Sequence, residues 1–427
     1  MIAWLGIGVV IALAALGAPI FAVVVVATAL GFYLAGIDLT VIVIEIYRIA
    51  DTPLLVSLPL FTFAGYLLSE TQTSQRLMNV TTSLFGWMPA GLAIVGFVAC
   101  AIFTALTGAS GVTIVALGAL LLPMLRKAGY SQSYSLGLVT SSGSLGLLIV
   151  PSIPLILYGI IAQQVQVGEP FTIPQLFIAG LVPCLLMLIA LSAWTIWKHG
   201  NVERIAFSWK NVGRSLLAAK WEIPLPFIVL LSIYTGVLAI SEAAALTALY
   251  VLVVEVFVLK ELKLTELPRV IRETMMMVGS ILLILGCALA LTNYFVDAQV
   301  PQKIFNTINA TVDNPLVFLI LLNLFLLLLG ALLDIFSVVV IMVPLILPVA
   351  VAFGIHPLHL GVIMMANLQI GYFTPPIGMN LFIASYRFDR PIVELYRACL
   401  PFMVVLMGVL MLITYVPFLS LWFLELG

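Results

Sequence analysis

The sequence predicts an all-α polytopic membrane protein built as an inverted-topology repeat, with two re-entrant helical hairpins and two broken helices. Three observations carry this: an apolar composition, the placement of the basic residues, and glycine and proline landmarks that recur in both halves. Of 427 residues, 63% are hydrophobic and 8% are charged. A soluble domain carries about 25% charge, so a water-soluble enzyme is excluded, as is a disordered chain. A net charge of −1 leaves no basic face for nucleic acid. The apolar runs are long and continuous, unlike the short alternating strands of a membrane barrel. Cys100, Cys184, Cys287 and Cys399 each stand alone in an apolar run, as small core residues do.

At roughly 20 residues per crossing, spans are predicted near 2–17, 19–37, 54–69, 176–197, 224–240, 242–259, 275–296 and 400–423. Residues 41–50 suggest an interfacial segment. No basic region precedes the apolar start, so the first helix is expected to stay as an anchor rather than be cleaved. Residues 88–125 and 314–350 are apolar but interrupted, at 107–111 and 330–334. Residues 132–163 and 358–386 are interrupted around Ser141–Ser152 and Gly371–Asn380. The chain divides into scaffold helices (1–50), a first repeat (51–165), linking helices with basic loops (166–273), a second repeat (274–390) and a C-terminal helix (391–427).

The basic residues orient these pieces, because cytoplasmic loops are rich in Lys and Arg. One loop holds Lys198, Arg204, Lys210, Arg214 and Lys220, and the next holds Lys260, Lys263, Arg269 and Arg272. With both inside, Arg76, Arg126-Lys127 and Arg387, Arg390 and Arg397 also fall inside, while Arg48 and Lys303 are exceptions. This requires 88–125 to enter and leave on the cytoplasmic side and 314–350 to do so on the other. Pro123 and Gly129 recur at the same spacing as Pro348 and Gly354, and Gly137 and Pro151 as Gly361 and Pro375. Opposite orientation with shared order is a signature of secondary transporters.

Irregular backbone at membrane depth is tolerated only inside protein or around a water-filled cavity. The first hairpin tip offers Thr107, Gly108, Ser110 and Thr113. The first break offers Ser141, Ser142, Ser144 and Gly146, ending at Ser152. Uncharged hydroxyl and carbonyl oxygens suit Na⁺, although close packing through small residues gives the same composition. The second hairpin carries Gly330, Asp334 and Ser337. An acid at this depth costs at least ~2.5 kcal/mol unless partnered. It faces a break holding Asn367, Gly371, Thr374, Pro375, Gly378 and Asn380. Asp334 with Thr374 and Asn380 would complete a second cation site, or Asp334 would cap a half-helix. Glu242 fits the first turn of its helix, and Glu255 and Lys260 lie near the cytoplasmic interface. His199, His356 and His359 are all expected in loops, which argues against a histidine proton relay. No serine triad, zinc spacing or phosphate-binding loop occurs.

The segments Thr107–Thr113, Gly143–Tyr158, Gly330–Pro348 and Asn367–Phe382, and the turn at Glu242, resemble the large membrane subunit of tripartite ATP-independent periplasmic (TRAP) transporters. The resemblance runs over nearly the whole chain, and its string Thr374-Pro375-Pro376-Ile377-Gly378-Met379-Asn380-Leu381-Phe382 is specific. Val150 departs from the usual second proline, and Gly111-Val112 from the usual Pro-Ala, both within the first site. The resemblance implies an elevator-type transporter of the ion-transporter superfamily in the bacterial inner membrane. It further implies Na⁺-driven import of an organic anion, with sialic acid favoured and a C4-dicarboxylate next. The implied partners are a small four-helix membrane subunit, a periplasmic substrate-binding protein and the lipid bilayer, with no nucleic acid. Na⁺ would be held at Thr107, Gly108, Ser110, Thr113, Ser141, Ser144 and Gly146, and at Gly330, Asp334, Gly371, Thr374, Pro375 and Gly378. The substrate would meet Ser142, Ser152, Ser337, Asn367 and Asn380. Competing readings are a stand-alone Na⁺- or H⁺-coupled anion transporter and a non-transporting structural subunit.

Overall fold

A computed structural model describes residues 2–48, 52–202, 204–309 and 314–424. Among these residues all regular structure is helical. The chain opens with α1 (Ile2–Ala15), α2 (Ile20–Ala35) and α3 (Thr40–Arg48), the last covering the described part of the expected interfacial segment. Next come α4 (Ser57–Ser69) and α5 (Thr73–Phe85), then a hairpin of α6 (Gly91–Thr107) and α7 (Ser110–Lys127). A broken helix follows as α8 (Gln132–Ser142), a 3-10 turn over Leu145–Leu148, and α9 (Ile153–Val165). The middle of the chain is α10 (Ile173–His199), α11 (Trp209–Ala218), α12 (Pro224–Tyr234) and α13 (Ile240–Val253), which runs on through a widened turn at Val254–Val258. Then come α14 (Leu267–Asp297), α15 (Val300–Asn309) and a second hairpin of α16 (Pro315–Leu332) and α17 (Ile335–Ala352). The second broken helix is α18 (Pro357–Gly371) and α19 (Met379–Phe388), followed by α20 (Ile392–Tyr415) and α21 (Phe418–Leu421).

Seven of the described helices are long and apolar enough to cross a membrane, and two further bent pairs qualify jointly. The pair over α4 and α5 bends by 75° and the pair over α8 and α9 by 42°. The first N–H groups of a helix have no partner within it, and at the starts of α8, α9, α17 and α18 a side chain supplies one. Ser131 caps α8, Ser152 caps α9, Asp334 caps α17 and His356 caps α18.

The two repeats interlock. Helix α8 packs on α20 while α18 packs on α10, and α9 lies on α17 while α19 lies on α7. Each half of one broken helix therefore rests on the other repeat or on the helix after it. Around this body, α14 packs on α2 and α3, and α13 on α4. Contacts of α14 with α17 and of α4 with α6 join the surround to the two hairpins.

Several boundaries differ from expectation for local reasons. The last span begins at Ile392, directly after Pro391, and stops before Pro417, so it runs over 392–415 rather than 400–423. Helix α14 starts at Leu267 and absorbs Arg269 and Arg272; Arg269 is neutralised by Glu70 and Glu273. Helix α12 ends at Tyr234 because the chain turns at Thr235-Gly236, with Gly236 at φ +71°. His359 is not in a loop. It lies in the first turn of α18, buried, with its ring nitrogens 3.1 Å from Ser420 Oγ and 3.2 Å from the Thr414 carbonyl. The turn begins earlier than expected because His356 accepts from the Leu358 N–H and Pro357 takes the first helical position.

Candidate functional site between the two hairpins and the two breaks

At the first tip, Thr107 ends α6, Gly108 turns the chain at φ +68°, and Ser110 opens α7. Gly108 is required there, since a left-handed backbone disfavours side chains. The Thr107 hydroxyl donates to the Phe103 carbonyl at 2.9 Å. The Thr113 hydroxyl lies 2.8 Å from that of Thr104, and Thr104 also lies 2.8 Å from the Gly143 carbonyl. Thr104 thus ties the hairpin to the first break.

In that break Ser141 and Ser142 donate back to the carbonyls of Gly137 and Leu138, at 2.7 and 2.6 Å. Ser144, just past the end of α8, donates 2.8 Å to the Gln369 carbonyl of α18 and lies 3.5 Å from the Ser141 carbonyl. Gly146 is a packing glycine: a Cβ there would sit 2.1 Å from the Ala101 carbonyl oxygen of α6. Ser152 donates to the Leu147 carbonyl and caps α9. A cis Val150-Pro151 bond lies here, and a cis Pro375-Pro376 bond lies in the second break.

Around the second tip, the Asp334 carboxylate accepts the Ser337 N–H at 2.9 Å and the Ser337 hydroxyl. The Ile335 N–H donates 2.8 Å to the Tyr372 hydroxyl, so a phenol from the break closes the start of α17. The Gly378 N–H donates 2.9 Å to the Ala331 carbonyl. Gly330 and Gly371 bring the two backbones together: a Cβ on Gly371 would lie 2.7 Å from the Gly330 Cα. Thr374 donates to the Ile370 carbonyl at 2.8 Å, on the helix side of Pro375.

The breaks meet each other as well. Asn380 donates 3.3 Å to the Thr140 carbonyl of α8, and its Oδ1 is buried with no partner among the described residues. Gln369 Oε1, beside the carbonyl held by Ser144, is likewise buried and unpartnered. The structure therefore brings Thr113 and Gly146 to Thr104, links Ser144 to Gln369 and Asn380 to Thr140 across the seam, and groups Gly330, Asp334, Ser337, Gly371 and Gly378 at the second tip. Asn367 is not among them. Its amide donates 2.6 Å to Asn323 Oδ1, and Asn323 donates 3.1 Å to Thr414, forming a separate polar link from α16 through α18 to α20.

Sequence reasoning missed Thr104, Thr140, Gln369, Asn323 and Tyr372. Thr104 and Asn323 are single polar residues inside apolar helices, and Thr140, Gln369 and Tyr372 lie at the edges of the breaks; such positions mark depth but name no partner. Only Asp334, an acid in an apolar run, announced itself.

Paired hairpins and paired broken helices, converging on uncharged oxygens inside a multi-pass body, define a membrane transporter of the repeat-built class. The chain matches the family described as "Tripartite ATP-independent periplasmic transporter, DctM component" over residues 7–419 and belongs to that family. It is 32% identical over 401 residues to a C4-dicarboxylate TRAP transporter large permease of Rhodobacter capsulatus, covering 91% of each chain. It is also 32% identical to a sialic acid TRAP transporter large permease of Vibrio cholerae, covering 86% of this chain and 85% of that one. An ectoine/5-hydroxyectoine TRAP permease of Ruegeria pomeroyi stands at 33%, with 87% and 86% covered. The crystal structure of the Alcanivorax borkumensis YdaH transporter shares the fold at TM-score 0.58 and 16% identity, over 90% of this chain and 87% of that one. The protein is a multi-pass inner-membrane permease subunit.

Proposed function

We propose that this subunit imports an organic anion from the periplasm by Na⁺ symport, working with a small membrane subunit and a substrate-binding protein. The observation that carries the coupling is the set of uncharged oxygens that meet at the first hairpin and first break, Thr104 with Thr113 and the Gly143 carbonyl, and Ser144 with the Gln369 carbonyl. Hydroxyls, carbonyls and amide oxygens without a fixed charge are the ligands a hard, weakly polarising cation takes. Na⁺ is assigned first to Thr107, Gly108, Ser110, Thr113, Ser141, Ser144 and Gly146. The second assignment is Gly330, Asp334, Gly371, Thr374, Pro375 and Gly378. The substrate is assigned to Ser142, Ser152, Ser337, Asn367 and Asn380. The Asn367 NH2 donates to Asn323 and to the Ile363 carbonyl, which leaves its buried Oδ1 without a partner among the described residues.

The movement is an elevator, in which hairpins and broken helices slide as one body against α2, α3, α4, α13 and α14. Interlocking of the two repeats favours a single moving body, because separating them would break contacts of α9 with α17 and of α19 with α7. For the cargo, a carboxylate with several hydroxyls of the sialic acid kind suits a seam rich in Ser, Thr and Asn. A C4-dicarboxylate comes second. Relatives named for dicarboxylate, sialic acid and ectoine all stand at 32–33% identity, so identity does not rank them.

The test is uptake into proteoliposomes carrying the membrane subunits, with sialic acid and C4-dicarboxylates in competition. Uptake should require an inward Na⁺ gradient and the soluble binding protein. Uptake without the binding protein would make this a stand-alone transporter, and uptake driven by a pH gradient without Na⁺ would make the coupling ion a proton.

A further inference from the structure

Away from the central seam, buried charges gather where α5 leaves α4. The Arg76 guanidinium contacts Glu222 and Glu261 directly and Glu255 at 3.6 Å. The side chains of Glu222 and Glu255 are each 1% exposed and that of Arg76 is 11% exposed. Each acid comes from a different place: Glu222 ahead of α12, Glu255 in the widened end of α13, Glu261 ahead of α14. Thr73 donates to Glu255 at 3.3 Å and the Gln72 N–H to Glu261 at 2.8 Å.

Three carboxylates thus face one guanidinium. Glu222 Oε2 and Glu255 Oε2 are both buried without a partner among the described residues. The other polar group here, the Tyr250 hydroxyl, donates to the Trp221 carbonyl at 2.8 Å and serves neither acid. The next charged set, Arg269 with Glu70 and Glu273, is closed on itself. A buried carboxylate without a compensating cation is strongly disfavoured. A proton on one acid removes that charge and turns an orphaned acceptor into an O–H donor.

The geometry points to a proton-binding site in which Glu222 and Glu255 hold one proton between them while Arg76 of α5 is seated against the turn before α12, the widened end of α13 and the loop before α14. Two such acids titrate as a pair rather than singly. Helix α5 is the stretch that joins α4 to the first hairpin, so the proton governs how firmly that link is seated on the side where the basic loops lie. Burial raises the Glu222 carboxyl above its ordinary 4.5, against the lowering effect of Arg76. A carboxyl raised on folding favours the folded, docked state fully below that ordinary value. The contribution is lost as pH rises through the raised one.

The test uses the full-length chain in lipid nanodiscs, with infrared difference spectra recorded as pH is stepped upward from 4. The wild type should keep a protonated-carboxyl C=O band above the pH at which exposed carboxylates have titrated. Glu222→Gln with Glu255→Gln should abolish that band and flatten the fall of melting temperature with rising pH. Glutamine imitates the protonated acid in shape, so the double variant should fold. If it does not, each single variant should shift the band. A spectrum without the band, or a band that both variants leave unchanged, overturns the proposal. So does a melting temperature that Na⁺ or Mg²⁺ raises at fixed pH in the wild type alone, which would put a metal cation there instead.

Discussion

Asp334 is both the capping residue of α17 and the acid assigned to the second Na⁺ site, and two substitutions separate these roles. Asp334→Ser keeps a capping oxygen without charge, whereas Asp334→Ala removes both, with a loss of about 1 kcal/mol for the cap. Thermal melts should therefore fall for alanine and stay near wild type for serine, while Na⁺ affinity in uptake assays should fall for both. Serine with unchanged Na⁺ affinity would leave Asp334 a cap alone. Asn323→Ala should destabilise by ~1–3 kcal/mol, because it leaves one buried hydrogen of the Asn367 amide without its acceptor while the bond to the Ile363 carbonyl stays. A melt indistinguishable from wild type would mean that water replaces the lost partner. Asp334 was legible in the sequence because an acid in an apolar run has few explanations. Asn323 was not, since a neutral amide on α16 gains meaning only when α18 and α20 bring Asn367 and Thr414 to it.

At the scale of elements, the hairpins and breaks follow from glycine, proline and hydroxyl clusters, and both hairpins occur where the interruptions lie. The amphipathic helices α5 and α15 were not foreseen, because Thr73–Phe85 and Val300–Asn309 are too polar to register as spans. Their stability comes from lying on the neighbours they meet, which an apolar-run reading does not weigh. Glycine again separates two meanings. Gly108 serves its own backbone, whereas Gly146 and Gly371 serve the backbone of another element. Gly146→Ala should push the 3-10 turn off α6 and cost ~1–3 kcal/mol or more, lowering both the melting temperature and uptake. Normal values for both would show that the turn relaxes freely.

At the scale of the molecule, one contact tests the sliding of the core against its surround. Ile341 of α17 packs on the cluster formed by Val24, Cys287 and Leu291, which belong to α2 and α14. In a chain keeping Cys287 as its sole native cysteine, Ile341→Cys should allow a short thiol cross-linker to join α17 to α14. Uptake should then stop and return when a reducible linker is cleaved. Full uptake in the cross-linked protein would sink the elevator reading. The sequence by itself determined the membrane setting, the places where helices break and the family, because these depend on local composition and on strings of adjacent residues. Only the tertiary structure decided which oxygens face one another. Ser144 meets Gln369, Thr104 meets Gly143, and Arg76 gathers three acids from three separate loops or helix ends. These pairings join residues far apart in the chain, and hydrogen-bond geometry is set by the packing of whole helices rather than by neighbours in sequence.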